Sequence, residues 1–338
     1  MTKRRIFLWF PTLGACLLVF LVFLQLWQGD GDMGAQANSK GASGFKTILL
    51  AGVDAAGENT DMLMLCTLDK ATGKVSFMQI PRDTFYRMEN SKGKINRIYR
   101  SFVSKYGRKH AAEELSKELG SAFGVCVDGC VIFDTKTVSS VVDTVGGVPV
   151  NIPNDFTYFD AETGIEKKLS VGEHVLNGEE AVAFLRHRKS YAEGDLGRLD
   201  AQMRFFSGLF SVLPSSKNMS TILVLYQKIL PNLLTNLTEK DIMEIMIAYL
   251  KNRSSYSVSL MRLPGEACYT DGAWYYVPYR GATEAMLQSE HGLAGRFDDG
   301  RRFTDASSEV LSNIYFFSDK AYRTYTPEEI ANKKVLRG

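Results

Sequence analysis

Several architectures are excluded by what this chain lacks. Its five cysteines (Cys16, Cys66, Cys126, Cys130 and Cys268) include no Cys-x-x-Cys pair and no finger-type spacing. A zinc finger, a thioredoxin-like redox motif and a disulfide-built scaffold are therefore all poor fits. Cys126 and Cys130 stand four apart in a strand-like run, on one side but too distant for an easy bridge, and read as small buried apolar residues. Histidine is equally scarce. His110, His174 and His291 form no metal-like cluster, and His187 stands alone as a neighbour of arginines rather than a base. The net charge of +2 supplies no global field for nucleic acid. No internal repeat, low-complexity block or second-domain linker is present. With 45% hydrophobic and 23% charged residues, the composition is that of an ordinary folded protein.

What is present begins at the N-terminus. Residues 6–27 form an uncharged apolar run preceded by Lys3, Arg4 and Arg5. That run is long enough to cross a bilayer as a helix, and its basic flank places residues 1–5 in the cytoplasm. Trp9 and Trp27 suit the two interfaces. A cleaved signal peptide is the rival reading, with Ala35-Gln36-Ala37 as a cleavage-like triplet. However, signal cores usually span only about 7–15 residues, and the triplet lies well past the end of this run. An uncleaved anchor is the better reading, and either way the remainder lies outside the cytoplasm. Residues 28–44, rich in Gly, Ala, Ser, Asp and Asn, read as a linker reaching roughly 20–25 Å. It would keep a domain over 45–338 close to the membrane and to any substrate held there.

The domain itself opens with three apolar runs, Phe45 to Val53, Met62 to Leu68 and Val75 to Ile80, the last closed by Pro81. They read as buried strands of one sheet. A helix interrupted near Gly107 is expected from Asn96 to Gly120, a strand from Val125 to Phe133, a helix from Thr135 to Val145, and a strand from Val148 to Ile152 after the Gly146-Gly147 turn. Such alternation argues for a layered α/β/α domain around a central mixed β-sheet. Asn177 followed three residues later by Glu180 marks a helix start, and that helix ends near Leu185. Further helices are expected over 219–230 and 238–250, the second with a Thr238/Asp241 cap, and a strand over 256–263. Residues from Glu290 on read as a charged, loop-like tail.

Charge is distributed unevenly. Between Arg82 and Lys109 stand nine Lys/Arg against Asp83 and Glu89, a local basic patch in a nearly neutral chain. The stretch LRHRKSYAEGDLGRL, residues 185–199, adds Arg186, Arg188, Lys189 and Arg198 around Asp195. Guanidinium groups are planar, bidentate and permanently charged, so such a group suits phosphate oxygens better than a core. Arg186 and Arg188 share one side only if the chain is extended between them. Asp195 is then a plausible N-cap for a helix over 196–213, whose free N–H groups would face an anion. Taken singly, each motif has a plain reading: Asp54 and Asp61 as loop carboxylates, Arg82-Asp83 as a surface pair, the Arg-rich run as a solvated face.

Taken together, LLAGVD, NTDMLML, PRDTF and LRHRKSYAEGDLGR, with KIN at residues 94–96, VVDTVGGVPV and LPG…WYYVP, resemble the LytR-CpsA-Psr family of Gram-positive cell-envelope enzymes. The resemblance covers about residues 45–287, with the anchor in the expected place. It implies a phosphotransferase that moves a phospho-glycopolymer, of teichoic-acid or capsular type, from a polyprenyl-pyrophosphate carrier to peptidoglycan. It also implies Mg²⁺, or Mn²⁺ in its place, held by Asp54 and Asp61. Arg82, Arg186, Arg188 and Arg198 would clamp the pyrophosphate, with Lys94 beside them. Asp195 would orient or deprotonate the acceptor hydroxyl, unless it caps its helix.

The parts agree with elementary chemistry. Mg²⁺ prefers oxygen ligands and commonly takes one or two carboxylates plus substrate phosphates, and phosphoryl transfer rests on positioning and charge stabilisation. Two departures from the family pattern stand out: Asn59 where an arginine is expected, and Ala201-Gln202-Met203 where Arg-Gln-Gln is frequent. They keep open a member that binds a lipid-linked glycan without turnover. A pyrophosphatase using water as acceptor would need the same clamp. DNA-binding regulation conflicts with the expected topology.

Overall fold

The computed structural model describes residues 44–54, 56–88, 91–160, 163–191, 195–212, 233–238, 240–241, 244–245, 247–248, 257–270, 272–293, 297, 302–303, 324–326 and 330. The expected anchor over 6–27, the linker up to residue 43 and the helix expected over 219–230 lie outside them. No helix among the described residues is long and apolar enough to cross a membrane.

The chain starts with β1 (Phe45–Val53), β2 (Thr60–Asp69) and β3 (Lys74–Ile80), close to the bounds the apolar runs predict. A hairpin, β4 (Phe85–Met88) with β5 (Ser91–Lys94), leads through a 3-10 turn into α1 (Ile98–Phe123). Then come β6 (Gly129–Phe133), α2 (Thr135–Thr144), β7 (Val148–Ile152), the hairpin β8 (Phe156–Phe159) and β9 (Glu166–Leu169), and β10 (Gly172–Leu176). Helices α3 (Gly178–Arg186) and α4 (Asp195–Val212) follow. The last described elements are β11 (Leu234–Thr235), β12 (Ser257–Arg262), the hairpin β13 (Gly265–Thr270) and β14 (Ala273–Pro278), α5 (Arg280–His291) and β15 (Thr324–Tyr325).

Seven strands form one mixed sheet in the order β11-β6-β1-β2-β3-β12-β15. The β1/β6 and β3/β12 pairs are parallel, whereas β1/β2 and β2/β3 are antiparallel. Strands buried on both faces read as continuous apolar runs, and alternation then sorts their residues between two cores. Ile48, Leu50, Met64, Cys66 and Phe77 join one core with Val142 of α2, Phe184 of α3 and Phe205 and Leu209 of α4. Leu49, Ala51, Leu63, Leu65 and Met78 join the other with Leu115 and Leu119 of α1 and Met286 and Leu287 of α5. Helices therefore cover both faces of a central mixed sheet, as the alternation of elements predicts.

Local signals explain the helix ends. Gly107 adopts φ 77°, a left-handed backbone that glycine tolerates, and interrupts α1 where expected. Asn177 and Glu180 form the reciprocal capping box that starts α3. Thr238 and Asp241 cap each other as well, with Thr238 N donating to Asp241 Oδ2 at 2.9 Å. Gly208 lets α4 lie directly on β7, since a Cβ there would collide with the Pro149 carbonyl.

Two expectations are corrected. The strand expected from Val125 begins only at Gly129, because the preceding backbone is engaged elsewhere. Val125 N donates to Gly120 O at the end of α1, and Asp128 N donates to Thr47 O. The stretch from Glu290 does not start as a loop, because α5 continues through His291.

His291 is fully buried, with Nδ1 2.9 Å from Thr67 Oγ1 and Nε2 without a hydrogen-bond partner among the described residues. Burial, aided by nearby Lys74, pulls its pKa down from 6.5 to about 3. The unfolded chain therefore takes up this proton first as pH falls. The stability contribution is complete above pH 6.5 and is lost towards pH 3, at about 1.4 kcal/mol per pH unit within that window. Urea unfolding of His291→Gln between pH 7 and 4.5 should show a shallower pH slope than the unsubstituted protein. Equal slopes would remove His291 from the acid sensitivity.

Candidate functional site

The strand register gathers the candidate residues at one edge of the sheet. Val53, at the C-terminal end of β1, pairs with Thr60 at the start of β2, and Leu63 of β2 pairs with Ile80 at the end of β3. Asp54, Asp61 and Arg82 therefore emerge at the same end, the edge where open α/β sheets place ligands. The start of α4 is drawn to that edge by two buried ties. Gln79 Nε2 donates to Leu199 O at 3.1 Å and Gln202 Oε1 at 3.0 Å, and Arg262 pairs with Asp200. The departure from the family pattern at Ala201-Gln202-Met203 thus falls in the interior: Ala201 and Met203 are core residues, and Gln202 ties the helix to the sheet.

Five side chains meet there. Arg82 Nη1 lies 2.8 Å from Asp61 Oδ1, and Arg82 Nε lies 3.2 Å from Asp195 Oδ1. Arg198 reaches both carboxylates, at 2.9 Å to Asp195 Oδ1 and 3.8 Å to Asp61 Oδ1, and Arg188 Nε approaches Asp195 at 3.8 Å. The Arg198 side chain is only 2% exposed. Its Nη2, although close to Asp195, points off the hydrogen-bond line. Among the described residues Arg198 Nε makes no hydrogen bond, and Arg198 Nη2 and Arg82 Nε face Asp195 Oδ1 as ion pairs without hydrogen-bond alignment. Donors left in this state cost free energy unless a ligand supplies the acceptors. Burial, opposed by Asp195, lowers the Arg198 pKa to about 10, so the group remains a cation at neutral pH.

Asp61 and Arg198 open into a cavity of about 770 Å³ that is also lined by Arg186, His187, Arg188, Lys189 and Ser190. Arg186 is the last residue of α3 and His187 the first extended one, so the helix runs one residue further than expected. Arg186 and Arg188 still reach the same cavity. Asp195 is the first residue of α4, and its carboxylate turns to Arg82, Arg188 and Arg198. His187 fixes the arm between the arginines. Its ring stacks on Phe156 at 4.5 Å, and its Nε2 accepts from Ser190 N at 3.0 Å. Burial and the Lys189 charge hold its pKa below the usual histidine value.

Asp54 and Lys94 stand outside that cavity lining. Asp54 Oδ1 accepts from Glu58 N at 2.9 Å, and Oδ2 accepts from Asn59 Nδ2 at 3.0 Å. Burial acts to raise its pKa, but these bonds prevail and hold it below the ordinary carboxylate value. Asn59, standing where the family pattern has arginine, therefore orients Asp54. Lys94 pairs with Asp83 at 2.9 Å, and Asp83 lies 3.9 Å from Arg82 Nε, so Lys94 touches the clamp through one carboxylate. No group of three or more His, Cys, Asp and Glu side chains among the described residues is placed to hold a metal ion. The candidate ligands Asp54 and Asp61 leave the sheet at the same end, Asp54 held by its own loop and Asp61 by Arg82 and Arg198, and carboxylates of this kind suit a hard cation completed by phosphate oxygens and water.

Sequence reasoning missed three parts of this site: the Asp83 link, the His187–Ser190 lock, and the β8–β9 hairpin that forms the far wall of the cavity. Each lies in contacts between segments distant in sequence or in a polar run without periodicity. Only the Arg-rich stretch carried a signal near them.

The chain resembles proteins of known name. It is 29% identical over 233 residues to the polyisoprenyl-teichoic acid–peptidoglycan teichoic acid transferase TagU of Bacillus licheniformis, spanning 68% of this chain and 72% of that protein. It is 30% identical over 234 residues to TagU of Bacillus mycoides, with the same coverage. The crystal structure of Bacillus subtilis TagV superposes with a TM-score of 0.58 at 26% identity, covering 73% of this chain and 97% of that one. The sequence matches the LytR_cpsA_psr family over residues 28–291. With that span matched, and with the arginines and carboxylates of its motifs gathered at one sheet edge, the chain belongs to the LytR_cpsA_psr family.

Proposed function

We propose that this protein transfers a phospho-glycopolymer of teichoic-acid or capsular type from a polyprenyl-pyrophosphate carrier to a peptidoglycan hydroxyl. The observation that carries this reading is the buried guanidinium pair Arg82 and Arg198 against Asp61 and Asp195, with donors not aligned in hydrogen bonds and with Arg198 lining the same cavity as Arg186 and Arg188. An anion with several oxygens on each phosphorus satisfies such donors, and a pyrophosphate satisfies more of them than a single carboxylate. The names of the teichoic acid transferase relatives support the same reading.

In this reaction the acceptor hydroxyl oxygen attacks the glycan-side phosphorus, and the bond from that phosphorus to the bridging oxygen breaks. Polyprenyl phosphate leaves with the bonding pair. Arg82, Arg186, Arg188 and Arg198 hold the phosphate oxygens and stabilise the charge that develops on them. Asp195, set among the guanidinia, orients the acceptor hydroxyl and is the carboxylate available to receive its proton. Asp54 and Asp61 would hold Mg²⁺ or Mn²⁺, which supplies additional positive charge at the phosphates. Residues 6–27 anchor the chain, residues 1–5 stay in the cytoplasm, and the domain works on the outer face of the membrane.

Purified Arg186→Ala and Arg188→Ala variants should each lose at least about tenfold in the release of polyprenyl phosphate from a glycosylated lipid pyrophosphate, the cost of one charge-assisted contact. Undiminished turnover in both would overturn the clamp. Ligand bound unchanged by the unsubstituted protein with Mg²⁺ would identify a binder instead, and oxygen isotope from water in the product would identify a pyrophosphatase.

A further inference from the structure

The cavity extends beyond the arginines to a wall that the clamp does not use. Its far side is the β8–β9 hairpin, through Asp155 and the run Phe156 to Phe159 on one strand and Glu166 and Lys168 on the other. Register sets Thr157 opposite Lys168 and Phe159 opposite Glu166. Directly opposed residues share a face, so these four side chains form one surface. Phe156 and Leu169, of the other parity, are buried in the core beneath. Phe159 is 68% exposed, unusual for a ring with an apolar core so close.

Two contacts hold the hairpin firmly to the clamp arm. Phe156 stacks on His187, and Asn154 Nδ2 donates to Ser190 O at 3.2 Å. Lys168 pairs with Asp155 at 2.6 Å, and Asp155 also accepts from Val171 N at 2.7 Å, which sets the base of the hairpin.

An aromatic face ringed by a hydroxyl, two carboxylates and an ammonium fits a sugar. The C–H face of a pyranose packs on the ring while its hydroxyls bond the polar rim. We infer that the β8–β9 hairpin, with Phe159 as platform and Glu166 and Lys168 as rim, binds the first sugar of the donor glycan, next to the clamped pyrophosphate. The inference rests on the reading of the arginine cluster as a pyrophosphate clamp.

The test measures equilibrium binding to the full-length protein in detergent. The probes are a short polyprenyl pyrophosphate and the same lipid pyrophosphate carrying one N-acetylhexosamine. Phe159→Ala should weaken the glycosylated probe about tenfold and leave the bare one unchanged, a change of about 1.4 kcal/mol in binding. Phe159→Tyr should restore tight binding, and Lys168→Ala should follow Phe159→Ala. Equal losses for both probes would make the hairpin a lipid or phosphate wall and overturn the inference. So would unchanged affinity for both. If the unsubstituted protein binds neither probe, the clamp itself fails and the inference falls with it. Phe159 is exposed, so its replacement removes no core packing.

Discussion

Replacing Arg198 with alanine should lower transfer by about 10²–10³-fold or more, the cost of deleting one preorganised donor group aimed at a developing charge. No other cation of the cluster is as buried, and with Arg82 it bridges Asp61 and Asp195. Among the described residues its Nε makes no hydrogen bond, and its Nη2 is paired with Asp195 off the hydrogen-bond line. The loss has a second component, because the substitution removes one of the two guanidinium groups that bridge Asp61 and Asp195 and leaves Arg82 to hold them alone. Thermal unfolding separates the two. Arg198→Lys keeps a positive charge without the planar fork, so it should keep much of the stability and little of the activity. An Arg198→Ala enzyme within a few-fold of normal would contradict the clamp, whatever its stability.

The largest stability effect is expected at the opposite end of β1. Lys46 is buried among Asp128 at 3.7 Å, Asp241 in direct contact and Glu244 at 3.6 Å. Removing one partner of a buried ionic group leaves its charges uncompensated, so Lys46→Met should cost about 3–5 kcal/mol in chemical denaturation. Adding Asp241→Asn to Lys46→Met should recover part of that loss, since the double change removes one of the stranded carboxylates. A loss below about 1 kcal/mol would show that these charges are solvated instead.

The pH window of this cluster follows from its shifts. Burial acts to lower Lys46, but its bond to Asp241 and the surrounding carboxylates raise it, so its contribution holds below its ordinary value and is lost as pH rises beyond it. Burial acts to raise Asp241, but the bonds from Lys46 and Thr238 hold it below 3.8, so its contribution is lost as pH falls below that value. Asp128, raised chiefly by burial against Thr47 N–H and Lys46, works in the opposite sense and softens the acid limb.

Legibility varied with how local the cause was. The strands β1 to β3 could be read because both faces are buried, and burial on both sides writes an unbroken apolar run. The break at Gly107 and the Asn177/Glu180 box could be read because backbone geometry and capping are decided within a turn. Helix α5 escaped because Tyr279 caps it without a side-chain hydrogen bond and polar residues dilute its buried positions Met286, Leu287 and His291. Hairpin strand β9, Glu-Lys-Lys-Leu, carries almost no apolar signal; pairing with β8 and the core beneath it decide its conformation. At the site, the arginines of residues 185–199 stood out because four fixed cations in one stretch demand a partner. That Asp61 and Asp195 are bridged by Arg82 and Arg198 depends on the strand register and on Gln79, which no window of sequence contains.

The length of β1 has one further consequence. Its nine residues, at about 3.3 Å each, hold the Lys46 cluster and the arginine edge roughly 25–30 Å apart. Changes that far apart with no shared partner should combine additively. Drift at one end would then tune the lifetime of the fold while drift at the other tunes the chemistry, so a lineage can alter its glycan without risking its scaffold.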